Sequence, residues 1–379
     1  MSTRTFRRQS IALFLSIFLL CILLSVLLFS RSSIEVPTRG TAEGKVAEQV
    51  DAFITGVASK GYAGSLVVEK DGTLILAKGY GFANREEEVP VTPDTIFDIG
   101  SVTKQFTAAA ILKLEEQGKL KVEDTISLYF DNVPEDKQSI TLHQLLTHTA
   151  GFPESLADDY DPVLRAEYID LAMSAKLINP PGKAHKYSNA GYSLLAAIIE
   201  LVTGASYETY LRNSLFEPAG MMQTGYILPD WQGNNLAHGY TTTLWGFSRD
   251  TGTPLDYPFA EDGPYWNLRG NGGVLSTAMD MYRWHKVLKE NTILSESTKE
   301  KMFTPYVSEG YWQESYYGYG WVIMPTSQGI LQTHNGGNDI FYADIHRYID
   351  ADVFIFITSS TGARRNATKL SRRVANILF

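Results

Sequence analysis

The sequence predicts an α+β fold: an antiparallel sheet covered by helices, with a mainly helical insert between its two halves. Two strand-like runs in "AGSLVVEKDGTLILAKGYG" flank Asp71-Gly72, a pair that favours a tight hairpin turn. Four further runs, "YGYGWVIM", "GILQTH", "IFYADIHRY" and "DVFIFITSS", follow one another near the C-terminus with the spacing of an antiparallel meander. Between these ends, as far as about Lys289, helical patterns dominate. The sheet must therefore be assembled from segments far apart in the chain.

Taken in order, the first element is "MSTRTFRR", with Arg4, Arg7 and Arg8 and no acid, followed by the uncharged, proline-free run Ile11 to Phe29. At about 1.5 Å per residue this run just spans a hydrocarbon core of about 30 Å. It reads as a transmembrane anchor over 11–29 in preference to a cleaved signal, because "SRSS" is a poor cleavage site. The basic residues place 1–10 on the cytoplasmic side and the rest of the chain outside the cell membrane, single-pass; a cleaved signal would give a secreted or periplasmic protein. Residues 30–44, polar with a proline and two glycines, read as a linker. A helix is expected from about Lys45 to Ala58, then the hairpin, then a helix from about Val102 to Gln117 with Gly118 as its C′ residue.

"TLHQLLTHTAGFP" predicts a short helix ending in a turn, and "AGYSLLAAIIELVTG" an apolar helix closed by Gly204. Tyr226 to Gly273 is aromatic, glycine-rich and aperiodic, the composition of a loop that walls a site. The helix "ATKLSRRVANIL" closes a domain over 45–379, with an α/β part at about 45–108 and 285–379 and a helical lobe at about 109–284.

Composition excludes several functions. The 379 residues are 44% hydrophobic, with a formal charge of −9 and no basic stripe, which argues against nucleic-acid binding. Cys21 is the sole cysteine, so no disulfide, zinc-thiolate site or cysteine nucleophile is available beyond it. His143 and His148 are five apart, off a shared helix face, and no HExxH occurs, so neither metal nor cofactor is expected. His185, His238, His285 and His346 read as structural or surface residues, and Tyr311, Trp312, Tyr316, Tyr317, Tyr319 and Trp321 as strand packing. Trp231, Trp245 and Trp266 are divided between packing and walling a cleft. Asn366-Ala-Thr matches a glycosylation sequon.

The chemistry concentrates in "FDIGSVTKQFTAAAILKLEEQGKL". Ser101 and Lys104 are three apart at a helix start, so hydroxyl and ammonium share a face. Among Ala108, Ala109, Ala110 and Ile111 the lysine loses solvent, which disfavours its charged form and lets it take the hydroxyl proton. Helix-start N–H groups add donors for an oxyanion. Taken alone, the pair also fits Ser101 as a cap and Lys104 snorkelling to the surface.

Two more motifs follow in order. "YSN" at Tyr187 to Asn189 lies between "PPGK" and a strong helix, and "HNGG" at His334 to Gly337 ends a strand. Together with "ITLHQLLTHTAGFP", "GGVLSTAMDMYRW" and "YGYGW", these resemble the S-x-x-K, Y-x-N and K/H-x-G motifs of the β-lactamase-like serine hydrolases. That group takes in class C β-lactamases, penicillin-binding D-Ala-D-Ala carboxypeptidases, D-aminopeptidases and serine esterases. The resemblance spans about Val46 to Phe379 and implies a β-lactamase/transpeptidase-like fold.

By that resemblance Ser101 is the acylated nucleophile, Lys104 its base, and Tyr187 the group exchanging protons with leaving group and water. Asn189 orients Lys104 and binds substrate amide. His334, Asn335 and Gly336 line and orient substrate, and the N–H groups of Ser101 and Gly337 form the oxyanion hole. The implied activity is hydrolysis of amide or ester bonds in D-amino-acid peptides or small esters. A β-lactamase proper, or a non-catalytic cell-envelope binding or regulatory protein on the same fold, are the competing readings. His334 departs from the lysine that binds a substrate carboxylate in β-lactamases, and Asn335 from a threonine or serine. Both argue for slow β-lactam turnover, with a gain near pH 6 if His334 protonates there.

Overall fold

In a computed structural model of the protein, described for residues 36–229, 231, 235–242, 248–310, 314–361 and 364–379, a nine-stranded antiparallel sheet forms the centre. Its strands are β1 (Thr38–Ala42), β2 (Gly64–Lys70), β3 (Thr73–Tyr80), β4 (Val307–Ser308) and β5 (Tyr316–Tyr317). They continue with β6 (Val322–Thr326), β7 (Gly329–Gly337), β8 (Tyr342–Tyr348) and β9 (Val353–Ser359). The spatial order is β1-β3-β2-β9-β8-β7-β6-β5-β4, so β2, from the start of the domain, pairs with β9, the last strand, inside the sheet, while β1 lies at its edge. Asp71 and Gly72 both take positive φ, 51° and 72°, as a two-residue hairpin between β2 and β3 requires.

Helices α1 (Lys45–Ala58) and α9 (Arg364–Leu378) pack on one face of the sheet. On the other face lie α7 (Ala278–Lys289) and a 3₁₀ turn, Gly100–Thr103, that leads into α2 (Lys104–Glu116). Because both faces are covered, every residue of β8 and β9 is buried and the alternation of a half-exposed strand disappears. The insert contributes α3 (Leu142–Leu146), α4 (Arg165–Ser174), α5 (Asn189–Thr203), α6 (Tyr207–Leu211) and α8 (Glu296–Met302). Gly204, in the left-handed conformation at φ 68°, ends α5. The largest core cluster runs along α2 and α5, from Phe106 and Ile111 to Leu195 and Ile198.

Three expectations change. The linker 30–44 holds an edge strand: β1 pairs residue by residue with β3 from Thr38↔Tyr80 to Ala42↔Leu76. "TRGTA" has no apolar alternation, and its strand character comes from backbone pairing at a largely exposed edge. At Gly40, with φ 126°, a side chain would meet the Ala77 carbonyl at 2.0 Å. Second, Ser101 lies in the 3₁₀ turn, and the α-helix begins only at Lys104. Third, the boundary placed at 284/285 falls inside α7, and residues 37–379 form one compact unit.

The 11–29 segment lies outside the described residues, as do Tyr311, Trp312, Trp245 and the Asn366 side chain. Among the described residues no single helix is long and apolar enough to cross a membrane. The bent pair Asn189–Thr203 and Tyr207–Phe216 approaches that composition, but α5 is buried from Ala190 to Glu200 as a core helix.

Candidate active site

Ser101 is set by what surrounds its turn. The short strand Ile96–Asp98 pairs with Leu275–Thr277, and Gly100, at φ 51°, then turns the chain into the 3₁₀ segment. The Gly100 N–H donates to the buried Asp98 carboxylate at 2.7 Å, and the Asn338 side chain donates to its other oxygen at 3.2 Å. Burial pushes the Asp98 pKa up to about 6. Asp98 thus ties the nucleophile turn to the end of β7.

The approach of those two backbones is close enough to exclude side chains. A Cβ on Gly100 would lie 2.1 Å from Gly337 N, and one on Gly336 would lie 2.3 Å from Ser101 N. The amides of Ser101 and Gly337 therefore belong to segments in direct contact, as a two-donor oxyanion hole requires.

Lys104 is fully buried at the first turn of α2. Its Nζ reaches Ser101 Oγ at 3.1 Å, Asn189 Oδ1 at 2.8 Å and the Asn271 carbonyl at 2.7 Å. Asn189 and Asn271 offer acceptors only, so two N–H bonds are committed to them. The third direction faces the serine: it is a lone pair in the neutral amine and an N–H in the ammonium. Burial drives the Lys104 pKa well below 10.5, opposed in part by the charges of Asp159 and Glu154. Such an amine can accept the hydroxyl proton of Ser101.

Tyr187 and Asn189 flank Ser188, the N-cap of α5, whose Oγ accepts from Gly191 N–H and donates to the Pro153 carbonyl. The Tyr187 ring lies beneath the amine, its centroid 4.7 Å from Lys104 Nζ. His148, at φ 57°, brackets this tyrosine on both sides along the chain. Its carbonyl accepts Lys186 N–H at 2.9 Å and its Nδ1 accepts Ser188 N–H at 3.1 Å. Its imidazole centroid lies 4.4 Å from the Tyr187 ring. Burial, then the Lys104 charge, keeps His148 neutral, with a pKa well below 6.5.

His334 is buried on β7. Its Nδ1–H donates to the Asn335 carbonyl at 2.7 Å, which leaves Nε2 to accept the Tyr317 hydroxyl at 3.0 Å. Burial first, and Lys104 second, lower its pKa to about 4. The gain of β-lactam activity expected near pH 6 is therefore withdrawn, because His334 stays neutral there. Asn335 and Gly336 line the same cleft, whose volume is about 970 Å³, with Ser101, Tyr187 and Asn189. Among the described residues no group of three or more His, Cys, Asp or Glu side chains could hold a metal ion.

The eight residues expected from the sequence thus come together from three distant segments. Four contributors were not foreseen: His148, Tyr317, Asn271 and Asp98. Tyr317, which the sequence alone reads as strand packing, both packs and forms the cleft wall beside His334. The Tyr226–Gly273 segment supplies no described lining residue. It acts from behind, through its Asn271 carbonyl on Lys104, the buried Trp266, and Tyr257 stacked on the cleft residue Tyr160 at 4.7 Å.

Comparison with known proteins gives concordant matches. The Beta-lactamase family model matches residues 47–379. Penicillin-binding protein 4* of Bacillus subtilis is 28% identical over 334 residues, 84% of this chain and 72% of that protein. A second Bacillus subtilis relative, PbpX, is 33% identical over 267 residues, 70% of this chain and 63% of its own length. Among solved structures, the octameric penicillin-binding protein homologue from Pyrococcus abyssi superposes with a TM-score of 0.76 at 29% identity. That likeness covers 87% of this chain and 77% of the other.

Proposed function

Because this chain belongs to the beta-lactamase family of serine hydrolases, we propose that it cleaves amide or ester bonds through an acyl-enzyme on Ser101. The observation that carries this reading is the fully buried Lys104 amine 3.1 Å from Ser101 Oγ, with its other two bonds committed to Asn189 and Asn271. In acylation the neutral amine takes the Ser101 proton while Oγ bonds to the substrate carbonyl carbon. The carbonyl oxygen becomes an oxyanion held by the N–H groups of Ser101 and Gly337. Collapse breaks the C–N or C–O bond, and the leaving amine or alcohol departs with a proton delivered through Tyr187. Water then attacks the ester, gives its proton to the Tyr187–Lys104 pair, and releases the acid as Oγ recovers its hydrogen.

The substrates in this reading are D-amino-acid peptides or amides and small esters. Slow β-lactam hydrolysis follows from His334, which offers a penicillin carboxylate a neutral ring already engaged with Tyr317. The test is intact-mass detection after exposure to a fluorophosphonate and to fluorescent penicillin, with turnover of p-nitrophenyl esters and D-amino-acid peptides measured in parallel. The wild type should gain the adduct mass and hydrolyse ester or peptide faster than penicillin, and Ser101→Ala should do neither. Full activity in Ser101→Ala would sink the mechanism.

The same reading places the catalytic domain outside the cell membrane, held by the uncharged run 11–29. Full-length protein should then sediment with membranes and need detergent for release, whereas a chain starting at residue 37 should be soluble and equally active. Recovery from cells of a mature N-terminus at Ser32 or Ser33 would replace the anchor by a cleaved signal.

A further inference from the structure

The cleft over Ser101 has a charge pattern that the acyl-transfer chemistry leaves unused. Glu154, Asp158, Asp159, Asp161, Glu309 and Asp339 line it, and the described lining includes no lysine or arginine. These acids are not grouped as a metal cage, since no such cluster exists among the described residues. They surround a position where a ligand must sit for independent reasons: the scissile carbonyl has to reach Ser101 Oγ. A carboxylate brought to that position meets a lining with six acids and, at His334, no cation. An ammonium meets the opposite field.

Asp159 has the most to gain from such a guest. It is half-buried, and its carboxylate accepts no hydrogen bond among the described residues. Burial raises its pKa, and the Lys104 charge is the chief opposing influence. Asp159 and Glu154 in turn are the two acids whose charge reaches Lys104. A cation one or two bonds from the scissile carbonyl therefore enters the field of these two carboxylates. It also favours the neutral, proton-accepting state of Lys104, by like-charge repulsion.

Resting on the acyl-enzyme reading above, we propose that the cleft selects acyl donors with a free ammonium beside the scissile carbonyl, and that Asp159, flanked by Glu154, is the specificity-determining carboxylate that receives it. The substrate class is an aminoacyl amide or ester with an unblocked amino group, in contrast to the carboxylate-bearing acyl donors that a lysine at 334 would serve. The ammonium takes no part in bond making: only the C–N or C–O bond of the acyl group is exchanged for C–Oγ and then for C–OH.

Three p-nitroanilides with one leaving group and one carbon skeleton test this: D-alanine (cationic), N-acetyl-D-alanine (neutral) and N-succinyl-D-alanine (anionic). In the wild type kcat/KM should fall in that order, with the amine favoured over the acetylated compound by about tenfold or more. In Asp159→Asn that ratio should drop at least about fivefold. Any effect common to both substrates, including a change in Lys104, cancels in the ratio. If the variant folds poorly, the wild type alone decides. Raising ionic strength from low salt should lower kcat/KM for the cationic substrate severalfold more than for the neutral one. A wild type that prefers the acetylated or succinylated compound overturns the proposal, as does a ratio unchanged in Asp159→Asn. Absence of any adduct at Ser101 with the fluorophosphonate would instead overturn the hydrolase reading on which it stands.

Discussion

Two basic side chains, Lys104 and Arg347, are buried on the same face of the sheet, and among the described residues neither touches a carboxylate directly. Lys104 is held by neutral acceptors and loses its charge easily. Arg347 donates to His285 Nδ1 at 3.1 Å and Gln332 Oε1 at 2.5 Å, and its guanidinium lies over the rings of Phe303 and Trp321. His285 passes the positive charge on by donating from Nε2 to the buried Glu69 at 3.2 Å. Burial lowers the Arg347 pKa to about 9, so it remains a cation at neutral pH. In the proposed mechanism the same loss of water therefore makes a base of one side chain and a strut of the other. The difference lies in residue type and in whether a carboxylate waits at the end of the hydrogen-bond chain.

The sharpest way to break this contrast is Lys104→Met, which keeps the length of the side chain and removes the amine. Activity should fall by about 10³-fold or more, from loss of the proton acceptor. Stability should move little, because the cost of burying the amine disappears along with its bonds. Thermal unfolding and kcat/KM on an ester, measured together, check both halves.

Arg347→Met should do the reverse. It strands Gln332 and the His285–Glu69 pair, at a cost of about 2–3 kcal/mol in denaturant unfolding. The kcat of the molecules that remain folded should stay within about twofold. Equal effects of the two substitutions on stability and on rate would erase the distinction between base and strut.

The finest effect is in pH. The Lys104 pKa is held below 10.5 by burial and propped up by Asp159 and Glu154. In the proposed mechanism the active form is the neutral amine, so the rate should rise with pH along a limb centred well below 10.5. Removing one acid in Asp159→Asn withdraws support from the ammonium, and that limb should shift to lower pH. A shift upward, or none, would mean that these carboxylates do not set the charge of the base. kcat/KM profiles on a neutral ester provide the measurement.

Legibility in the sequence followed the range of the forces. The hairpin at Asp71-Gly72, α5 with its Gly204 stop and the C-terminal meander are local patterns, and they stand where the pattern puts them. Ser101 and Lys104 could be paired because one turn separates them. Their partners Asn189 and Gly337 were reached through resemblance, since no spacing within a chain says that residues 104 and 189 touch. β1 was hidden because an edge strand is defined by its neighbour's backbone. His148 escaped because its work is done by a carbonyl, a ring nitrogen and a left-handed φ, none of which periodicity encodes. The neutrality of His334 required its burial and its tyrosine partner.

The meeting of Gly336 with the Ser101 turn has a consequence in time. Synthesis delivers residues 101 and 104 well before strands β7 to β9, and β2, already paired with β3, gains its second neighbour only when β9 arrives. Until then the nucleophile has a base nearby but no strand to complete its pair of amide donors. On the proposed mechanism, a nascent or truncated chain of this kind would carry Ser101 without the means to use it. In the proposed mechanism, hydrolytic competence therefore waits for the pairing of β2 with β9, which joins segments far apart in the chain.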